Sequence, residues 1–248
     1  MPAASSPAML VDQSLCVGCE ACTAVCKQIY GLSEGIYRTK IDKKETGSLP
    51  EVKINYYKMA CMHCEEAACV MACPTGACHK NGQGLTVIDP GMCIECNYCI
   101  SNCPFGAIVF DRGRGLMEKC TLCSTRVTEG MQPLCADTCT SRIIKYGERE
   151  EMLSQAHDRV EKLREQGYEN AQVYGENEMG GLKVITVLSD TPENYGLPVD
   201  PQVSLGLKLW NAVPLTPAVI IAGGLVLGFN YLHSRKVQQK LDNAKKSR

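Results

Sequence analysis

Short apolar runs separated by turn residues dominate residues 1–149 of the chain. Four of these runs are rich in aliphatic residues and bordered by Gly, Pro or Asp, which predicts short strands. They read "MLVD", "GLTVID", "GAIVFD" and "RIIKYG". Two further runs, "EGIYRTKID" and "EVKINYY", flank the turn sequence "ETGSLP" and predict a hairpin. We therefore expect this part of the chain to repeat a small unit of strand, loop, short helix, turn and strand.

The pattern changes after the last of these strands. The stretch "EREEMLSQAHDRVEKLREQGY" predicts a helix that ends at Gly167. Its apolar residues at helical spacing predict packing against the upstream domain, with a partner protein as the alternative contact; they are Met152, Ala156, Val160 and Leu163. A strand in "GLKVITVLSD" and an extended, proline-rich connector in "TPENYGLPVDPQ" follow.

Residues 213–233 are almost entirely apolar. About 20 such residues suffice to cross a bilayer as one helix. Trp210 and Tyr231 flank this run as interfacial aromatic residues do, and Pro214 and Pro217 fall in its first turn, where proline is tolerated. The run predicts a transmembrane helix, with a helix buried against a soluble partner as the alternative.

The segment 234–248 carries several Lys and Arg residues against a single acidic residue, Asp242. Because positive charge accumulates on the cytoplasmic side of a membrane, we expect a cytoplasmic C-terminus. The rest of the protein would then lie on the periplasmic or extracytoplasmic side of the cytoplasmic membrane.

Cysteine is the most unusual feature of the composition, with 17 cysteines among 248 residues. The N-terminal "MPAASSPAML" lacks the basic and apolar regions of a secretory signal peptide, which disfavours a disulfide-bonded secreted scaffold. The net charge of −1 gives no sign of a nucleic-acid partner. Metal binding is therefore the explanation to test.

Sixteen of the cysteines form four groups of four. Groups one and three have the spacing C-x2-C-x2-C-x3-C, which is typical of ferredoxins that bind [4Fe–4S] clusters. A structural zinc site would instead need two separated C-x2-C pairs. The groups are Cys16, Cys19, Cys22 and Cys26; Cys61, Cys64, Cys69 and Cys73; Cys93, Cys96, Cys99 and Cys103; and Cys120, Cys123, Cys135 and Cys139.

In two-cluster ferredoxins the fourth cysteine of each run binds the other cluster, since a short helix carries it away from the first three ligands. Groups two and three both end in Cys-Pro and are predicted to exchange their last cysteines, and groups one and four would do the same. The predicted ligand sets are Cys16, Cys19, Cys22 and Cys139 for cluster 1; Cys61, Cys64, Cys69 and Cys103 for cluster 2; Cys93, Cys96, Cys99 and Cys73 for cluster 3; and Cys120, Cys123, Cys135 and Cys26 for cluster 4.

Group four departs most from the usual run. A long insertion separates Cys123 from Cys135, and Thr140 stands where proline is expected. The remaining cysteine, Cys78, is predicted to be a small buried side chain. His63 and His79 lie near the groups, but sulfur already fills every predicted cluster corner, so we expect both to act by hydrogen bonding or charge.

These features predict an α+β protein of two pseudo-symmetric halves that each resemble a bacterial ferredoxin, followed by one transmembrane helix. Little apolar core is expected in the repeated cysteine units, where the clusters would be the core, so the chain without metal should be largely unfolded. The predicted segments are 1–149 for the four-cluster domain, with 61–110 as its inner half and 9–60 with 111–149 as its outer half; 150–212 for the helix, strand and connector; 213–233 for the transmembrane helix; and 234–248 for the tail.

The four cysteine groups resemble the four-cluster electron-transfer subunits of molybdopterin oxidoreductases. The downstream segment "LREQGYENAQVYGENEMGGLKVITVLSDTPENYGLP" and the single apolar helix are similar to the iron–sulfur (β) subunit of membrane-bound respiratory formate dehydrogenase. The resemblance implies a heterotrimer with a molybdenum- or tungsten-pterin catalytic subunit and a membrane cytochrome b that passes electrons to quinone. It also implies that the folded chain is exported beside the catalytic subunit. The half that contains Cys16 would face that subunit.

The chain itself has no nucleophile constellation or open metal position, so we expect no catalysis of its own. Two alternatives remain open from the residues alone. A cluster subunit of another membrane-bound oxidoreductase or of a hydrogenase would share the cysteine groups, and a stand-alone polyferredoxin would need no membrane helix. His233, next to the apolar run, is expected to be an interfacial histidine, with a haem ligand as the alternative.

Overall fold

A computed structural model of the protein describes residues 7–212. Strands, mostly in consecutive pairs, and helices are interspersed along this range, as expected for an α+β protein. The strands are β1 (Pro7–Asp12), β2 (Thr39–Ser48), β3 (Glu51–Ala60), β4 (Cys78–Lys80), β5 (Thr86–Ile88), β6 (Val109–Asp111), β7 (Leu116–Glu118), β8 (Ile144–Glu148), β9 (Gln172–Tyr174) and β10 (Val184–Leu188). The α-helices are α1 (Ala21–Ile29), α2 (Ala68–Met71), α3 (Tyr98–Ser101), α4 (Ser124–Thr128), α5 (Leu134–Thr138), α6 (Arg149–Glu165) and α7 (Leu205–Ala212).

Three antiparallel hairpins surround the cysteine loops. The longest pairs β2 with β3 from Thr39 opposite Ala60 to Ser48 opposite Glu51. The predicted hairpin is confirmed, although its turn is confined to Leu49 and Pro50 because the strands extend further than expected. The short hairpins β4–β5 and β6–β7 follow groups two and three. The β6–β7 hairpin crosses the predicted boundary between the two halves at residue 110.

A four-stranded sheet in the order β8-β1-β10-β9 joins the two ends of the described chain. Strand β1 pairs antiparallel with β8 and parallel with β10, where Met9 lies opposite Val184. All five residues of β10 are buried. Strands that are covered on both faces read as continuous apolar runs rather than as alternating ones. The segment after the cysteine groups is therefore part of the same sheet as the first strand of the protein.

Helix α6 covers one face of this sheet and confirms the predicted apolar stripe. Its four stripe residues are all buried and pack with Leu10 and Ile185 of the sheet. Arg164 in its last turn donates to the carbonyl oxygen of Ala171 at 2.9 and 3.2 Å, which fixes the chain that leaves the helix. The apolar cluster between α6 and the sheet contains no cysteine. The segment after the cysteine groups therefore adds an apolar core to the protein, outside the repeated cysteine units for which little core was expected.

The connector "TPENYGLPVDPQ" is less extended than expected. Residues Pro192–Tyr195 form a 3-10 turn that Gly196 ends with a φ of 75°. Proline at the first turn position and glycine after the last are both favoured there. Tyr195 is buried and its hydroxyl lies 2.9 Å from Ser189 Oγ. The connector therefore packs on the protein body, which corrects the prediction of an extended segment.

Of the described residues, 7–207 belong to one compact unit and 208–212 to a second. Within residues 7–212, no helix combines the length and apolar character that a membrane crossing requires. The predicted transmembrane helix over 213–233, the tail over 234–248 and His233 lie outside the described residues.

Candidate metal centres

The backbone of every C-x2-C loop bends in the same way. The residue before the second cysteine has a left-handed conformation in all four groups, with φ of 68° at Gly18, 50° at His63, 57° at Glu95 and 52° at Leu122. Residues other than glycine adopt this conformation only at an energetic cost. Such turns point successive N–H groups into a concave site for an anionic group. The repeated left-handed conformation indicates that each loop binds an anionic group of the same kind.

At Gly18, packing also leaves no room for a side chain. A Cβ atom at this position would lie 2.4 Å from Cε1 of Tyr56, so a side chain would displace that ring. Tyr56 belongs to β3, and the hairpin β2–β3 therefore lies directly against the loop of group one.

Two cavities in the outer half are lined by the cysteines that the sequence assigns to clusters 1 and 4. The first is lined by Cys16, Cys19, Cys22 and Cys139, and the second by Cys26, Cys120, Cys123 and Cys135. Each cavity thus has three thiols from one group and one from the other, as an exchange of last cysteines requires.

Helix α1 produces this exchange. Cys22 and Cys26 are one turn apart on it, yet they line different cavities. Burial first, and then the neighbouring thiols of Cys120 and Cys123, raise the pKa of the Cys26 thiol to about 12. The four-residue step along a helix is therefore long enough to carry a thiol from one site to the next.

In the inner half, the thiols of group two lie close to one thiol of group three. Burial raises the pKa of Cys64, and the charges of Cys61, Cys69 and Cys103 add to this rise. These four cysteines are the set that the sequence assigns to cluster 2.

The thiols assigned to cluster 3 are brought together less completely. Burial raises the pKa of Cys99 to about 11, with further contributions from Cys69, Cys93 and Cys96. Cys73 Sγ accepts a hydrogen bond from the N–H of Cys78 at 3.3 Å and lies 3.7 Å from Thr75 Oγ1. Its place in cluster 3 therefore rests on the spacing of the run.

The surroundings of the thiols fit iron–sulfur clusters. Backbone N–H groups donate to sulfurs of the candidate ligands, from Leu122 to Cys120 at 3.3 Å and from Ala107 to Cys103 at 3.5 Å. The buried Oγ1 of Thr39, which lines the second outer cavity, has no hydrogen-bond partner among the described residues. Such donors stabilise the negative sulfurs of a cluster. Across residues 7–212, no three His, Cys, Asp or Glu side chains are arranged to hold a single metal ion.

Two buried lysines are functional candidates that the sequence analysis did not single out. Lys58 and Lys119 are each 3% exposed. Lys58 lines both outer cavities. Burial lowers the pKa of its ammonium, but the nearby thiols, Cys135 first among them, raise it by more. Lys119 Nζ donates to the carbonyl oxygens of Thr86 and Cys120, the latter at 2.9 Å. Lysine is rarely buried, so sequence alone gives no reason to expect either position.

His63 lies at the junction of the two halves. Its ring is fully buried, and Nδ1 accepts the N–H of Thr86 at 3.1 Å. Burial, together with the charge of Lys119, holds the pKa of His63 well below its usual value, so the ring is neutral. The second histidine near the clusters, His79, has its Nδ1 3.1 Å from the carbonyl oxygen of Ala77.

Cys78 is buried, as predicted, and it also contacts two of the candidate ligand cysteines. Its thiol is hydrogen-bonded to Cys69, which lowers the pKa of Cys69 to about 7. Its backbone N–H meets Cys73. Cys78 belongs to neither set, yet its thiol contacts Cys69, which is assigned to cluster 2, and its backbone contacts Cys73, which is assigned to cluster 3.

Apolar side chains are exposed beside two of the cysteine runs. Val17 in group one and Ile94 in group three are each 62% exposed. Cys19 is exposed as well. Tyr98, at the start of α3, is 57% exposed. The two runs with regular ferredoxin spacing thus reach the surface of the protein.

Comparison with known proteins relates this chain to iron–sulfur proteins. Two models of the family described as 4Fe-4S dicluster domain match residues 15–77 and 52–149. The formate dehydrogenase, nitrate-inducible, iron-sulfur subunit of Escherichia coli (strain K12) is 36% identical over 247 residues, which covers 91% of this chain and 84% of that protein. The formate dehydrogenase iron-sulfur subunit of Haemophilus influenzae is 37% identical over 89% of this chain and 77% of that protein. The thiosulfate reductase electron transfer subunit of Salmonella typhi is 35% identical over 58% of this chain and 76% of that protein.

Proposed function

The chain belongs to the family of formate dehydrogenase iron–sulfur subunits, and we propose that it carries electrons from a formate-oxidising, molybdenum- or tungsten-pterin catalytic subunit to a membrane cytochrome b and quinone. It is an electron-transfer subunit of an oxidoreductase complex, it binds [4Fe–4S] clusters, and it is not the catalytic subunit. The clusters supply one-electron chemistry. The protein's own residues hold the clusters, separate them and tune them.

The proposed ligand sets are those predicted from the sequence, one for each of clusters 1 to 4. The observation that carries the proposal is the pair of outer cavities, because each is lined by three thiols of one group and one of the other. This arrangement supports the exchange of last cysteines in the outer half. The cluster of thiols around Cys64 supports it for cluster 2.

We place the clusters in the order 1, 4, 2, 3. Lys58 lines the cavities of clusters 1 and 4. Lys119 contacts Cys120 of cluster 4, and its charge acts on Cys61 of cluster 2, whose pKa burial raises to about 11. Cys78 contacts thiols of clusters 2 and 3. Each pair of successive clusters therefore shares one buried residue, which supports a single line of four centres.

The two ends of this line are clusters 1 and 3, beside which Val17 and Ile94 are exposed. Exposed apolar side chains around a redox centre are suited to docking another protein. We assign the end with Cys16 to the catalytic subunit and the end with Cys93 to the cytochrome b. The two pseudo-symmetric ferredoxin-like halves and the segment boundaries predicted from the sequence belong to this proposal.

The proposal also includes a single membrane helix over 213–233, with a cytoplasmic C-terminus and the clusters on the outer side of the cytoplasmic membrane. It is supported by the apolar composition of this run and by the basic residues after it. A chain that stops after Ala212 should then leave the membrane fraction when the cytochrome b is absent. Retention of the shortened chain under these conditions would contradict the anchor.

The main test uses the purified complex with its catalytic subunit. Addition of formate should produce the EPR signals of reduced [4Fe–4S] clusters, with four clusters per chain by iron and sulfide analysis. Thiosulfate reductase relatives motivate a second set of assays with sulfur-containing substrates. Clusters that respond to another substrate of the catalytic partner but not to formate would refute the formate assignment while keeping the electron-transfer role.

A further inference from the structure

Lys58 occupies a position between the two outer cluster sites. It lies near the end of β3, with 3% of the residue exposed. Its side chain lines the cavity with Cys16 and also the cavity with Cys120. Its backbone N–H donates to Oε1 of Gln13 at 3.3 Å, which ties the strand to the turn that leads into group one.

Lys58 forms no ion pair with a carboxylate of the described residues. Arg38 is the other cation that lines the second cavity. Unlike Lys58, it lines one outer cavity and not both, and it is paired with a carboxylate, that of Glu118 at 2.6 Å. The groups that face Lys58 are thiols of both cluster sites, with Cys22 and Cys135 among them.

A buried cation acts strongly on a nearby redox centre. Charges interact over longer distances in the protein interior than in water, because screening is weak there. Four thiolate ligands give a cluster a net negative charge, and reduction adds one electron without making or breaking a bond. A fixed positive charge beside the cluster therefore stabilises the reduced state and raises the reduction potential.

From this geometry we propose that Lys58 raises the reduction potentials of clusters 1 and 4 together, so that electrons arriving from the catalytic subunit pass from one to the other. The proposal rests on the ligand sets proposed above. Lys58 acts on the clusters through its positive charge and is not a ligand of either. One residue would thus couple the potentials of two centres in the relay.

The test is an EPR-monitored redox titration of the purified complex. Lys58→Met should lower the midpoint potentials of clusters 1 and 4. At a fixed solution potential, the ratio of reduced to oxidised cluster should fall at least about tenfold for both clusters. For a one-electron couple this corresponds to a decrease in midpoint potential of about 59 mV. Clusters 2 and 3 should shift less. Lys58→Arg, which keeps the charge, should restore the potentials of clusters 1 and 4.

The matched control is Lys53→Met, which removes an exposed lysine from the same strand. It should leave all four potentials unchanged. Iron analysis comes first, since a wild-type chain with fewer than four clusters would refute the ligand sets rather than the role of Lys58. Lys58→Gln replaces Lys58→Met if the methionine variant loses a cluster. Unchanged potentials in a neutral variant with four clusters, or a shift at one outer cluster alone, would overturn the proposal.

Discussion

Thr140 and Cys19 lie side by side, with Oγ1 and Sγ 3.6 Å apart, although 121 positions separate them in the chain. Thr140 directly follows Cys139, so this contact brings the end of group four to the loop of group one. The threonine stands where the ferredoxin pattern has proline. Its hydroxyl can donate to a ligand sulfur, which proline cannot do. The departure from the pattern therefore adds a polar contact at the proposed cluster 1.

The exchange of last cysteines predicts which cluster a given substitution removes. Cys26→Ser should lose the cluster held by Cys120, Cys123 and Cys135, because Cys26 lines their cavity. Cys22→Ser, one helical turn away, should instead lose the cluster of its own group. EPR spectra of the two reduced variants, with iron analysis, distinguish the outcomes. Loss of the same centre in both variants would contradict the exchange.

Cys78 provides a second prediction, which concerns potentials and not assembly. Cys78→Ala should retain all four clusters, since Cys78 is outside every ligand set, and its backbone N–H to Cys73 remains. The lost thiol contact to Cys69 should lower the potential of cluster 2, because that hydrogen bond stabilises negative charge on the sulfur. Cys78→Ser keeps a donor and should shift the potential less. Loss of a cluster in the alanine variant would show that Cys78 is a ligand.

Glu118 supports the second outer site through two arginines. Its buried carboxylate accepts from Arg38 at 2.6 Å and from Arg114 at 2.8 Å. Arg38 also stacks on the ring of Tyr30, 4.1 Å from its centroid, and both side chains line the cavity of cluster 4. Glu118→Ala should destabilise the protein by about 3 kcal/mol, because it leaves the guanidinium of Arg38, whose side chain is 14% exposed, without its carboxylate. Thermal unfolding followed by circular dichroism measures this change.

The exposed pair of Lys40 and Asp42 is the control for Glu118. Its atoms are 2.8 Å apart, but both side chains are more than two-fifths exposed, at 45% and 44%. Exposed ion pairs contribute about 1 kcal/mol or less. Asp42→Ala should therefore have little effect on the unfolding temperature. Equal losses in the two variants would contradict a special role for the buried carboxylate.

Features with a local signature were predictable from the sequence. The spacing of the cysteines identified the groups, and the stripe from Met152 to Leu163 identified helix α6 and its buried face. In both cases the pattern lies within one short stretch of chain. The pairing of β1 with β10 has no such signature, because its partners, Met9 and Val184 among them, lie at opposite ends of the described chain.

The residues between the clusters were not predictable for a different reason. Lys58 and Lys119 look like ordinary surface lysines in the sequence, and only the fold reveals that both are buried among thiols. The same limit applies to Tyr195, whose burial turns a nominal connector into part of the core. Properties that depend on what a distant segment covers cannot be found by spacing or periodicity.

The last prediction concerns the core that α6 forms with the sheet. Leu163 is 2% exposed and packs in this core. The apolar cluster to which it belongs contains no cysteine. Leu163→Ala should cost about 2 to 5 kcal/mol, because it leaves a cavity between the helix and β10. The apparent unfolding temperature should fall by several degrees, while cluster content and midpoint potentials stay at wild-type values. Glu161→Ala, at an exposed position of the same helix, should change neither. Loss of clusters in Leu163→Ala would mean that this core and the metal sites fold as one cooperative unit. Their retention would show that the sheet and α6 carry stability separate from the clusters.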